Sequence, residues 1–142
     1  MSDTIGYSKQ EVIALSKLDM DMLAGLALPD TFTLTFPPIF KSLWTLITDA
    51  AQTSGDFTKV ALGLPRGFGK TAVIKLFALY IILHTKHKFI LITGANQTKA
   101  ENILADVMML LSEPNIIKVF GDYRHTVEMK RADLVKFTLF GK

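Results

Sequence analysis

The chain of 142 residues contains no cysteine, which excludes a disulfide scaffold, a thiolate metal site and a cysteine nucleophile together. It lacks an N-terminal basic stretch followed by an apolar segment and a small-residue cleavage site, so an export signal is not expected. The longest apolar run, Ala72 to Leu83, covers 12 positions and is interrupted by Lys75, too short to cross a bilayer. No internal repeat and no low-complexity tract is present, so organisation has to be read from punctuation and periodicity. Charged residues make up only 20% against 49% hydrophobic ones, enough to bury a core and too apolar for global disorder. A mean hydropathy of +0.32 points to core surface that expects a partner or a missing remainder.

The net charge of +3 is unevenly distributed. Residues 1–60 hold four lysines against seven acidic residues, whereas residues 61–142 hold twelve basic residues against six acidic ones. The second half is the one suited to phosphate-bearing partners.

Ser8 followed by Glu11 has the form of a capping box, with Val12, Ile13, Leu15 and Leu18 behind it, and predicts a short helix. Pro29, Pro37 and Pro38 bracket an extended stretch, Asp30 to Phe36. A helix should start near Pro38 and carry Ile39, Leu43, Leu46 and Ile47 on one face. After a loop at Gln52 to Phe57 the pattern changes. Lys59 to Leu64 reads as a buried strand, Lys70 to Leu83 as a helix covered on both sides, and Phe89 to Thr93 as a second buried strand. Thr98 with Glu101 suggests a capping box for the next helix, which Pro114 should stop. Residues 115–120 fit a helical turn or a strand equally, and Leu134 to Phe140 reads as a third strand. Strand, helix, strand, helix, strand is the grammar of an α/β fold with a parallel sheet flanked by helices. The expected organisation is a helical N-terminal segment over 1–56 and an incomplete P-loop core over 57–142.

The informative chemistry lies between the first expected strand and its helix: Pro65, Arg66, Gly67, Phe68, Gly69, Lys70 and Thr71. Glycines let successive backbone N–H groups turn inward as an anion nest, and a following helix aims its positive end at the same point. Lys70 would reach the β and γ phosphates of a nucleotide, and the Thr71 hydroxyl would ligate Mg²⁺. The strict GxxxxGK(S/T) pattern needs glycine at position 64, where Leu64 stands; the short GKT core alone is not specific, and its strand–helix setting is what raises it.

With these residues in view, LALPDTFTLTFPPIFKSLW, KVALGLPRGFGKTAVIKLFALYIIL and FILITGANQTKAENILADVMMLL together resemble the N-terminal ATPase region of large terminase subunits, the DNA-packaging motors of tailed bacteriophages. The resemblance covers roughly residues 19–142. That family commonly lacks the first glycine of the loop and carries an arginine there, so Leu64 and Arg66 favour it. It implies that ATP with Mg²⁺ sits on the loop from Pro65 to Thr71, that Arg66 and Lys70 act catalytically on the γ phosphate, and that Thr93 to Gln97 corresponds to a second, helicase-like motif. It further implies double-stranded viral DNA, a portal protein, a small terminase subunit, the remaining part of the large subunit and a homo-oligomeric ring as partners, no membrane, and a place in the host cytoplasm at the procapsid portal.

FPPIFKSLW resembles the family's adenine-side motif. Phe36, Phe40 and Trp44 could offer a flat face to a purine, although aromatics at helical spacing more often pack a core. His84 and His87 sit among lysines and read as a solvated connector. Arg124, Lys130 and Arg131 read as a solvated charged loop, and Met108 with Met109 as helix packing. Hydrolysis requires an apolar strand ending in acidic residues to hold the metal's water shell, and no such run occurs. The chain is therefore expected to be the first part of a split or truncated large subunit, inactive alone. Two other readings stay open: a lobe of another P-loop enzyme such as a helicase or small kinase, and a non-catalytic fragment that binds a partner through an exposed edge.

Overall fold

In the computed structural model, residues 6–30, 35–53, 59, 61–67 and 69–139 are described. The first helix, α1 (Lys9–Leu18), begins at the capping box read from the sequence. Ser8 Oγ accepts from the Glu11 amide, and the Glu11 carboxylate accepts from the Ser8 amide at 2.6 Å. Those bonds hold the Glu11 carboxyl below its ordinary value. Asp19 then closes α1 and opens α2 (Met20–Ala27), accepting from the Asp21 amide. Met20, Leu23, Ala24, Leu26 and Ala27 are buried, so α2 is covered almost all round.

Pro38 occupies the first turn of α3 (Pro38–Gln52), where its missing N–H costs nothing. Phe40, Trp44 and Thr48, spaced at four residues, form its buried stripe. Trp44 meets the rings of Tyr80 and Phe77 edge-on, at centroid distances of 5.6 and 6.3 Å, and so locks α3 to α4 (Lys70–His84). Gln52 Nε2 adds bonds to the Tyr80 hydroxyl and the His84 carbonyl. The Lys75–Asp106 ion pair, at 2.5 Å, joins α4 to α5 (Gln97–Leu111). A seven-residue α6 (Pro114–Phe120) packs against α1, α2 and α5. One core cluster runs from Val12 to Leu139 and draws on every helix.

The parallel sheet expected from the sequence is not formed. Among the described residues the only strands are β1 (Met129–Lys130) and β2 (Val135–Lys136), an antiparallel hairpin pairing Met129 with Lys136 and Lys130 with Val135. The short 131–134 connection can only turn the chain back, since a parallel pair needs a long crossover. Parallel strands also need both faces covered, yet in the segment read as the second strand Phe89 is 75% and Leu91 74% exposed. Of the first expected strand, 59 and 61–64 are described and none lies in a ladder. β-rich composition marked extended chain without supplying the neighbour that would make it a sheet, and helix-on-helix packing took the core instead.

One helix boundary also differs. The cap of α5 is Asn96, whose side chain accepts from the Lys99 amide at 2.9 Å. Thr98 is already helical, and Glu101 accepts from Gln97 Nε2 rather than closing a box. Helix α5 ends at Leu111, ahead of Pro114 as expected, and Pro114 itself opens α6, which settles residues 115–120 as helix. The segment expected to be extended before Pro37 falls largely on residues 31–34, outside the described residues. No helix among the described residues is long and apolar enough to cross a membrane.

Beyond α6, Asp122 caps a 3₁₀ turn (Tyr123–Thr126) and binds the Arg124 guanidinium through both oxygens, at 2.8 and 2.6 Å. These bonds, with the Arg124 charge, hold the Asp122 carboxyl down at about 2. A depressed folded value means that its contribution to stability is present above the unfolded value near 3.8 and disappears as pH falls through about 2. Arg124→Ala should move the Asp122 titration back toward 3.8 in a carboxyl NMR titration, with little effect on stability at neutral pH; an unmoved titration would contradict the assignment.

Candidate phosphate-binding loop

The stretch from Ala61 to Gly69 enters α4 through a turn at Arg66 and Gly67. Gly67 has φ 83° and Gly69 φ 75°, both left-handed. A Cβ built at either would meet nothing within 4 Å, so backbone conformation rather than space calls for glycine here. Gly69→Ala is expected to destabilise the chain by about 1–2 kcal/mol, read as a lower urea midpoint. A midpoint equal to that of the parent would show that the loop does not hold this conformation in solution.

Gly69 is the N-cap of α4 and, having no side chain, leaves the first-turn amides without a side-chain cap. The first turn contains no acidic residue, so the positive helix end is not neutralised from within. Lys70 is half-buried and its ammonium group donates to the Leu64 carbonyl, folding the side chain back across the loop. Arg66 and Thr71 are exposed, and neither makes a side-chain hydrogen bond or ion pair with a described residue. Phe68 lies outside the described residues. Residues 65–71 thus supply glycine amides, a guanidinium, an ammonium and a hydroxyl with no carboxylate among them, a donor set that fits phosphate.

Comparison of the chain with protein-family models, with curated proteins and with solved structures gave no match. The loop has to be judged on its own geometry.

Not every sequence candidate joins it. Phe40 and Trp44 are 7% and 3% exposed and face the core, with Phe36 half-buried and its ring 6.0 Å from Phe40. Buried rings cannot stack on a purine, so the adenine-side platform is not formed by them. Gly94, in the second expected motif, has a different role from Gly67 and Gly69. Its Cβ would stand 2.9 Å from the Ala100 amide, so this glycine permits close approach of the loop to the first turn of α5. Arg124 and Arg131 are each paired with an acidic neighbour. Met108 is buried, whereas Met109 is 71% exposed.

The polar contact that the sequence did not disclose is that between α1 and α4. His84 ends α4 rather than lying in a solvated connector, and its Nε2 stands 3.0 Å from Oγ of the fully buried Ser16. Ser16 Oγ donates to the Ile13 carbonyl, so it accepts from the histidine. Both partners are spoken for by packing: the His84 ring lies 5.3 Å from Tyr80 and 5.5 Å from Phe120. Only the spacing of Val12 and Ser16 on one helical face hinted that Ser16 would be inside. An open groove of about 590 Å³ lies between α5 and the hairpin, lined by Leu104, Met108, Met109 and Val135 with Lys130 and Arg131. Its lining also includes Ser112 and Tyr123, whose hydroxyls lie 3.3 Å apart.

Proposed function

We propose that this chain binds ATP with Mg²⁺ through the loop from Pro65 to Thr71, as the N-terminal part of a phage terminase large subunit. The observation that carries this reading is the passage of two left-handed glycines directly into an uncapped helix whose first residues are Lys70 and Thr71. The resemblance of the surrounding sequence to packaging motors supplies the rest. In this proposal the loop amides and the start of α4 hold the phosphates. Lys70 exchanges the Leu64 carbonyl for phosphate oxygens, Arg66 contacts the terminal phosphate, and the Thr71 hydroxyl serves as a ligand to Mg²⁺. Hydrolysis in the whole motor would drive double-stranded DNA through the portal of a procapsid in the host cytoplasm. The remainder of the large subunit, a small terminase subunit and further copies in a ring would complete that machine.

Titration calorimetry of the chain with MgATP tests the reading. Binding should be measurable, and Lys70→Ala should weaken it at least about tenfold, the loss of one charge-assisted contact. The side chain of Lys70 reaches only a loop carbonyl, so the variant should keep its helical circular dichroism. Equal affinity of the two proteins for MgATP would refute the assignment of this loop.

A further inference from the structure

The groove between α5 and the hairpin shares no residue with the loop at 65–71. Leu104, Met108 and Ser112 follow one another at four-residue spacing, so one wall is a row about 12 Å long on a single face of α5 and its C-cap. Val135 of β2 lines the groove from the hairpin side, and Met109 adds an apolar side chain that is open to solvent. A volume of about 590 Å³ falls within the range of roughly 300–1,000 Å³ that small-molecule sites occupy.

The polar side chains of the lining decide what fits. Ser112 Oγ donates to the Met108 carbonyl at 2.9 Å and therefore accepts from the Tyr123 hydroxyl, so both hydroxyl protons are committed within the protein. Arg131 is held by Asp133 through Nε at 3.2 Å, and Glu128, the other acidic residue of the hairpin, is held by Lys136. Lys130 makes no ion pair or side-chain hydrogen bond with a described residue, and the lining contains no carboxylate. One uncompensated ammonium group thus stands beside an apolar wall with no spare hydroxyl donor. A nucleotide, sugar or peptide laid there would set its own amides and hydroxyls, unpaired, against that wall, at the cost of desolvating them. A ligand with one anionic head and a body free of polar groups meets no such cost, and its charge complements Lys130. We propose that the groove binds a free single-chain alkyl carboxylate, its head on the Lys130 ammonium and its chain along the row from Leu104 to Ser112.

Titration calorimetry of the full chain with sodium dodecanoate, kept below its micelle concentration, tests the site. Binding should saturate with a dissociation constant in the micromolar-to-millimolar range, since an open groove covers only part of the chain. Acetate, the head without the chain, should not bind. Dodecyltrimethylammonium, a similar chain with the opposite charge, should bind at least about fivefold more weakly. Lys130→Glu should weaken dodecanoate binding at least about fivefold, whereas Lys9→Glu, the same charge change on the exposed start of α1, should alter it by less than about twofold. Lys130 is exposed, so the variant's far-UV circular dichroism should match the parent's. In methyl NMR spectra of the unmodified chain, dodecanoate should shift the signals of Met108 and Met109 and leave those of Met20 and Met22 in α2 in place. Absence of saturable binding, equal binding of the cationic chain, a Lys130→Glu variant that binds like the parent, a Lys9→Glu variant weakened equally, or shifts extending to Met20 and Met22 would each overturn the site. Sedimentation of the chain with anionic phospholipid vesicles, lost in Lys130→Glu, would also overturn it, because the groove would then serve a membrane surface rather than a free ligand.

Discussion

Trp44→Ala should lower the unfolding free energy by about 3–5 kcal/mol, the cost of emptying a large aromatic site that cannot collapse fully. The ring is 3% exposed and lies against Tyr80 and Phe77. Its removal therefore strips α3 of its main contact with α4. Trp44→Phe gives a sharper comparison. The indole N–H is buried and finds no acceptor among the described residues, so the wild-type side chain already carries a desolvated donor. Phenylalanine keeps an aromatic edge in the site and discards that donor, and the expected loss falls below about 2 kcal/mol. Urea unfolding followed by far-UV circular dichroism is the proper measurement, since Trp44 is the single tryptophan of the chain. Equal losses for the two variants would show that the ring contacts are not what holds α3.

Leu79→Ala, in the middle of α4, should cost about 2–5 kcal/mol, whereas Leu91→Ala should stay within about 0.5 kcal/mol in dilute solution. Both residues stand in apolar runs that look equally core-forming in the sequence. Leu79 is fully buried and Leu91 is 74% exposed. Matching denaturation midpoints for the two variants would contradict the placement of α4 at the centre of the molecule.

That pair also shows where sequence reasoning stops. The features read correctly were local ones. The Ser8–Glu11 box and Pro38 in a first turn depend on contacts within a few residues, and the burial of Lys70 to Leu83 is written in that segment's own composition. What failed depended on a remote neighbour. Residues 89–93 have strand composition, but whether a strand forms is decided by a second chain segment lying alongside, and no local pattern records that. Near the C-terminus the turn at 131–134 converted an expected parallel strand into half of a hairpin. The error at α5 was of another kind: Thr98 and Glu101 had the right spacing, but Asn96 two residues earlier took the extended backbone and the amide bond that define a cap. The glycine-rich passage into α4 was legible because a turn entering a helix is itself a local device. The core packing of Phe40 and Trp44 was the commoner reading of their helical spacing, whereas the bond between Ser16 and His84 could be seen only once distant helices had been assembled.

The contact of α1 and α2 with α6 has a consequence for the protein's biosynthesis. Helices α1 and α2 are synthesised well before residues 114–120, so part of the surface on which they pack is completed only when α6 has been translated. During that interval α1 and α2 are set in local shape and still unable to bury all their apolar side chains, so this helix pair is a stretch that a chaperone would engage on the nascent polypeptide.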